Sequence, residues 1–453
     1  MAVDVSKEFR VGFGGVAGVR CATEWLGSDL DPSAFLGLDD HGRGVIARGG
    51  GCAYGDAAQR GGGTVLKLRS TQGISYRDPV SNTVEVSAGD TIGNVCRGLL
   101  AHGGWFLPVV PGTAMATIGG AIAADVHGKN HMRAGSFGEH VVSIELIDGA
   151  GIRRTLSRSD DPDGFWATVG GMGLTGVIVA ARLRAVRIGS TRLSETTSVA
   201  NSIDNVMLQL RSLTAIHDHV AAWIDLRSRA FGTGVVTASN HLIDADHPNS
   251  ATLGQSSRLV CPRLPVSMLS PRRIAYANAA KRTASRWRTR RRKDHVVSVE
   301  SGLWPLDALR EWPRLYGPSG FVQYQIAVPD GKEVALIQIA HDLGRLPVYL
   351  ATLKRLGGSS PAPLSFPIEG WTLAVDIPAK APGLWAALDV ADEAVAEVGG
   401  RVYLAKDVRL KARHVPAMYP RLDEWREIRD RLDPKGRMRS DLGCRLGLVD
   451  SAS

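Results

Sequence analysis

With 453 residues the chain is long enough for two or three domains. A hydrophobic share of 44% and a charged share of 22% exclude a mainly disordered chain and a disulfide-stapled miniprotein. The net charge of +9 is local: residues 281–293 (KRTASRWRTRRRK) hold eight Lys or Arg and no acid, and the rest of the chain stands at +1. A protein-wide nucleic-acid surface is therefore not expected. The cysteines Cys21, Cys52, Cys96, Cys261 and Cys444 are too scattered for a CxxC metal or redox site, and no metal is predicted. The Gly-diluted stretch from Val11 to Val16 is too weak for a signal peptide, and no run of ~18 apolar residues is present. A soluble, cytoplasmic protein is expected.

In chain order, the first 190 residues read as short strands and helices separated by Gly-rich turns. Val45–Ala47 is a short apolar run and Thr83–Ala88 alternates as a strand does. Asp90 stands at a helix N-cap position. Ile92, Val95, Cys96, Leu99 and Leu100 then mark one helical face, which Gly103-Gly104 ends. Val141–Ile147 and Ile152–Leu156 flank Asp148-Gly-Ala-Gly151, a hairpin signal, and Val177–Val186 reads as a closing strand. From 191 to 400 glycines thin out, and strand-like runs such as Val220–Leu226 and Phe321–Val328 alternate with helical ones. The basic stretch near 270–295 reads as a mobile loop. Leu384 through Val398 lines a helix face, and Arg401–Ala405 reads as a strand.

Three Gly-rich elements fall in the first part. Arg48-Gly-Gly-Gly-Cys-Ala-Tyr-Gly-Asp56 directly follows a strand, and its glycines would let backbone N–H groups converge on a pyrophosphate. A tight turn without ligand fits the same residues. Neither a P-loop nor a GxGxxG dinucleotide fingerprint is present. The second element runs from Pro111-Gly112-Thr113 through Thr117-Ile-Gly-Gly120 to His127-Gly-Lys-Asn130, dense in small residues against which a flat ring would lie. The third is Gly170-Gly-Met-Gly-Leu-Thr-Gly176.

The order RGGGCAYGD, PGTAMATIGGAIAADVHGKNH, GSFGEHV and FWATVGGMGLTGVI resembles the flavoproteins of the vanillyl-alcohol-oxidase type. More narrowly, YGPSGFVQYQ, APLSFPIEGW, YLAKD and AMYPRLDEW make the chain similar to the decaprenylphosphoryl-β-D-ribose oxidases from about residue 40 to 445. The resemblance implies an α+β fold. A two-part FAD-binding domain (1–190 and 401–453) would flank a substrate domain (191–400) built on a mostly antiparallel sheet with helices. It implies non-covalent FAD held by Arg48, Gly49, Gly50, Gly51, Cys52, Ala53, Tyr54, Gly55, Asp56 and Ala57, by Gly112, Thr117, Ile118, Gly119 and Gly120, and by His127, Gly128, Lys129, Asn130, Ile178 and Tyr403. The glycine pattern reaches the same loops unaided, whereas Ile178 and Tyr403 come from the resemblance alone.

On the substrate side, a period of two places Gln323 and Gln325 on one strand face, which pattern alone would give to solvent and the resemblance gives to a sugar pocket. The resemblance puts Lys406 beside the flavin, Tyr54 near the site, and Lys129 and Lys354 toward the substrate phosphate. Lys406 and His127 are the two candidates for catalytic proton transfer. Two departures stand out: Ala374 replaces a common family cysteine and Thr372 a usual asparagine. Hydride transfer requires neither group, so catalysis is expected to persist.

The activity implied is oxidation of a sugar secondary alcohol to a ketone, namely the 2′-hydroxyl of decaprenylphosphoryl-β-D-ribose on the way to arabinose for the cell wall. A separate NAD(P)H-dependent reductase would complete the 2′-epimerisation. A soluble sugar, nucleoside or lactone is the alternative substrate. The basic run interleaved with Trp287 would either lie on anionic headgroups at the inner membrane face or stay solvated. A nucleic-acid-binding role for that run predicts colourless protein and salt-dependent oligonucleotide binding; three flavin-type segments in family order argue against it.

Overall fold

The computed structural model describes residues 6–16, 18–26, 42–71, 74–78, 80–228, 230–242, 253, 259–263, 265–291 and 294–450. Alternating apolar side chains bury one face of each main strand, so the chain assembles as sheets with helices against them, an α+β architecture. Among the described residues the first part holds two larger sheets and a two-stranded ladder of Trp105–Phe106 with Val186–Arg187. A four-stranded one runs Ser6–Val11, Gly18–Leu26, Thr64–Leu68, Val45–Ala47, with the last three strands parallel. A five-stranded antiparallel one runs Ile74–Asp78, Thr83–Ser87, Gly176–Arg184, Val141–Asp148, Arg153–Ser157. The hairpin read at 148–151 joins its last two strands.

The face of Ile92, Val95, Cys96, Leu99 and Leu100 is wholly buried on the helix Ile92–Ala101. Its N-cap is Thr91 rather than Asp90: the Thr91 hydroxyl accepts from Asn94 N at 3.2 Å. Asp90 instead accepts side-chain hydrogen bonds from Ser70 and Thr71, a long-range use that spacing does not reveal.

The second part is an eight-stranded antiparallel sheet in the order Asp294–Ser298, Arg192–Ala200, Thr233–His241, His219–Asp225, Leu350–Leu356, Gly370–Pro378, Phe321–Pro329, Arg401–Val402. One face is apolar. Val322, Tyr324 and Ile326 pack there with the helices Ile203–Thr214, Glu333–Leu343 and Leu384–Glu397 in the largest core. The other face carries Gln323, Gln325 and their neighbours.

Two sequence expectations change here. Only Arg401–Val402 is strand, as the edge of the large sheet. Residues 403–405 leave it because Leu404–Lys406 turns as a 3-10 helix, which aims Lys406 inward. The basic stretch is not a loop: Pro271–Arg291 is a helix. Ala, Arg and Lys are good helix formers, Pro271 sits at its start, and Ser270 Oγ caps Arg273 N at 3.3 Å. Arg292 and Lys293 lie outside the described residues. No helix of the described residues is long and apolar enough to cross a membrane.

Candidate active site

The glycine elements form a single wall because their backbones touch. A Cβ on Gly49 would sit 2.0 Å from Thr117 Oγ1, one on Gly50 2.4 Å from Met115 O, and one on Gly55 1.9 Å from Asp407 O. Any side chain would separate the first loop from the second or from the turn at 404–408. Thr117 caps the helix Ile118–Ala123, accepting from Gly120 N at 3.3 Å, while a Cβ on Gly112 would meet nothing within 4 Å. The wall thus offers close backbone with open space beside Gly112.

Several side chains in these loops serve the wall itself. Arg48 donates to Val11 O at 2.8 Å and Ala58 O at 3.2 Å. Asp56 accepts from Arg445 at 2.7 and 2.9 Å, and Asn130 donates to Pro108 O at 2.8 Å. Ala53 O accepts from Phe13 N, Ala57 and Ile118 are core residues, Gly119 packs on Ala88, and a Cβ on Gly128 would strike Asn130 Oδ1. Gly51 occupies a left-handed conformation with φ +70°. Ile178 is buried at a bulge in the strand Gly176–Arg184. Tyr403 donates to Ala124 O at 3.0 Å and stacks on Phe366. Burial pushes the Cys52 thiol up to about 11, so it stays protonated.

Opposite the wall stands the polar face of the large sheet. Register pairs Gln325 with Ala374 and Gln323 with Asp376, and pairs Thr372 with Lys354 on the next strand. Gln325 is buried, not solvent-facing; its amide nitrogen donates to His127 Nε2 and to Thr372 Oγ1, both at 3.1 Å. Ala374 therefore leaves room across from Gln325, and Thr372 supplies the acceptor that orients it. Burial, reinforced by Lys354, His131 and Lys406, holds His127 well below the usual imidazole range, so the ring is neutral. With Nε2 accepting, its proton is on Nδ1, a buried atom without a partner among the described residues. Such an orphan donor costs ~1–3 kcal/mol unless a ligand accepts from it.

Lys406 Nζ lies 3.7 Å from the Tyr54 ring centroid, over its face. Tyr54 N donates to Ala405 O at 2.9 Å, which fixes that approach. Burial brings the Lys406 ammonium down to about 8, although Asp376 and the Cys52 site pull the other way. Asp376, unforeseen from sequence, accepts from Gln323 Nε2 at 2.6 Å and from the Tyr316 hydroxyl at 3.3 Å. Burial raises its carboxyl to about 6 against the opposing pull of Gln323, Lys406 and Tyr316. For both groups desolvation outweighs their mutual attraction. A lone acid in an apolar strand gives no signal by itself; only the pairing with Gln323 marks it. Lys354, also buried, is brought to about 7 by desolvation and by Lys129 and Lys406, charges of its own sign. Lys129 Nζ donates to Gly302 O at 2.5 Å, so its ammonium is turned toward the substrate part, not the glycine wall.

A wall of close backbone, an orphan Nδ1–H and converging ammonium groups suit an anionic ring cofactor with a polar substrate over it, as in FAD-dependent oxidoreductases. A family profile described as FAD binding domain matches residues 37–157, and one described as D-arabinono-1,4-lactone oxidase matches residues 387–445. The chain is 38% identical over 435 residues to a decaprenylphosphoryl-β-D-ribose oxidase of Mycolicibacterium smegmatis, covering 93% of this chain and 94% of that one. It is also 37% identical over 366 residues to a Streptomyces coelicolor protein described as an uncharacterised protein in the mprA 5′ region, covering 76% and 96% of the two chains. The chain belongs to the decaprenylphosphoryl-β-D-ribose oxidase family of FAD-dependent oxidoreductases.

Proposed function

We propose that the chain oxidises the 2′-hydroxyl of a ribofuranosyl phosphate, with decaprenylphosphoryl-β-D-ribose as the fitting substrate, to the 2′-ketone. The observation that carries this reading is the convergence of Lys406, Asp376, Gln323, Gln325 and His127 between the glycine wall and the sheet face. Bound FAD supplies the hydride acceptor. The glycine wall holds it through backbone, and His127 Nδ1–H offers it or the sugar a hydrogen bond. Non-covalent attachment is supported by the protonated Cys52 thiol and by the engagement of His127 Nε2 with Gln325.

Lys406, in its free amine form, takes the proton of the sugar hydroxyl. Asp376 holds the Lys406 charge and Gln323 in place, and Gln325 fixes the sugar against Thr372. His127 is too weakly basic for that transfer, so it positions. A carboxylate at about 6 and an amine at about 8 bracket neutral pH, where proton transfer is most effective. Anaerobic titration of the purified yellow protein with the lipid-linked sugar should bleach the flavin within one turnover. Equal turnover of a tail-free sugar would favour the soluble-substrate alternative, which the Ala374 and Thr372 departures support. Colourless protein that refuses added FAD would end both.

The ketone needs a second, NAD(P)H-dependent reductase to complete the epimerisation, so such an enzyme is the functional partner. Contact with the inner membrane face is supported by the exposed side of the helix Pro271–Arg291, where Tyr276 is 79% and Trp287 55% exposed beside Arg272, Arg273 and Arg286. Each such charge adds on the order of 1 kcal/mol on an anionic bilayer. Replacing Arg272, Arg273 and Arg286 by Gln should abolish co-sedimentation with anionic vesicles at low salt; unchanged sedimentation removes the membrane role.

A further inference from the structure

The basic run has two faces, and only one of them is outward. On the helix Pro271–Arg291, residues 281, 285 and 289 recur every four positions on the side that meets the large sheet, with Lys281 still exposed at its rim. Ser285 is buried, and Thr289 Oγ1 donates to Thr197 O at 3.0 Å. Arg282 is neutralised by Asp225, at 2.5 Å. Lys281 is not: its ammonium lies 4.6 Å from the centroid of the Trp223 ring, over the ring face. Trp223 pairs with Thr352, Thr352 with Ala374, and Ala374 with Gln325. Side chains directly across a ladder share a face, so Lys281 stands over the same sheet face as the sugar-side glutamines.

Lys129 comes to that face from the second glycine element, where its carbonyl accepts from Val220 N at 3.0 Å on the Trp223 strand. Lys354 stands on the neighbouring strand. Desolvation, with the like charge of Lys129 second, brings the Lys281 ammonium down to about 8 and the Lys354 ammonium to about 7. Among the described residues the acid acting on Lys129 is Glu195, which is itself 3.1 Å from His295. Two buried ammonium groups on one face, with Lys281 at its rim and so little countercharge among the described residues, favour an anion between them.

We propose that Lys281 closes, from the helix side, an anion site whose other members are Lys129 and Lys354, and that its ligand is the phosphoryl group of the sugar substrate. The proposal rests on the oxidase reading and adds to it one residue, Lys281, that would help to hold that substrate's phosphoryl group from the helix side. The phosphoryl oxygens would take hydrogen bonds from three ammonium groups, and the Trp223 ring holds the Lys281 ammonium in place.

The test uses the FAD-loaded enzyme with Lys281→Met, which removes the charge from a side chain of similar length, and Lys281→Arg, which keeps the charge. Calorimetric titration with inorganic pyrophosphate should show binding at least 10-fold weaker in Lys281→Met and within 3-fold of wild type in Lys281→Arg. KM should rise about 10-fold in Lys281→Met for both the lipid-linked sugar phosphodiester and a tail-free ribose phosphate, with kcat within twofold. A neutral methyl riboside should show no such change. Unchanged pyrophosphate binding overturns the proposal, as does an equal loss on the neutral riboside, which would mark a structural role. Weakening confined to the tailed substrate also overturns it, by assigning Lys281 to the lipid. Should no sugar bleach the flavin, the oxidase reading fails while the pyrophosphate titration still decides the anion site.

Discussion

Lys406→Met is expected to slow anaerobic flavin bleaching by the sugar roughly 10²–10⁴-fold, the usual worth of a positioned proton acceptor. FAD should remain bound, because the cofactor wall is backbone from the glycine loops and Lys406 contributes no bond to it. The pH dependence carries the sign. With its folded value near 8, Lys406 is mostly charged at pH 6 and cannot accept a proton, so the wild-type rate should climb as pH rises through about 8. Lys406→Met should lose that limb. Asp376 raises the Lys406 value by its charge, so Asp376→Asn, which keeps an oxygen to accept from Gln323, should shift the limb to lower pH. A rate in Lys406→Met within threefold of wild type, with the limb intact, would assign the proton to another group.

The glycine wall was legible because a glycine cluster after a strand is a local signal, and so was the helix Ile92–Ala101, whose apolar face repeats at helical spacing. What stayed hidden depends on long-range register. Asp376 gains its meaning only from sitting opposite Gln323, and Gln325 is covered by His127, which arrives from the loop after the helix Ile118–Ala123. The helix at 271–291 was misread because its charge masked a face of small and polar side chains, Ser285 and Thr289 among them. Ser270-Pro271 ahead of an Ala- and Arg-rich run was the cap signal that would have shown it. Arg48, Asp56 and Asn130 lie in the glycine loops yet turn their side chains to structural partners, a distinction that motif matching cannot draw.

Gly55→Ala should lose the flavin and most of the activity, although alanine adds one methyl group. That methyl would lie 1.9 Å from Asp407 O and 2.9 Å from Val408 Cγ1, and a carbonyl cannot swing aside as a flexible side chain does. Neither backbone is free to retreat. Arg445 bridges the two, donating to Asp56 on one side at 2.7 Å and to Asp407 on the other at 2.8 Å, and Tyr54 N is bonded to Ala405 O. Overpacking of this kind costs ~1–3 kcal/mol or more. The strain falls on the seam that sets Lys406 over Tyr54, where a displacement of about 1 Å is enough to cost on the order of 10²-fold in rate. The control is Gly358→Ala, an exposed position where a Cβ meets nothing within 4 Å. It should keep the wild-type flavin content, melting temperature and bleaching rate. The ratio of flavin to protein absorbance after gel filtration reads the outcome directly. Full flavin retention and wild-type turnover in Gly55→Ala would mean that the first loop and the 404–408 turn move independently, and the close backbone seam would no longer explain how Lys406 is held.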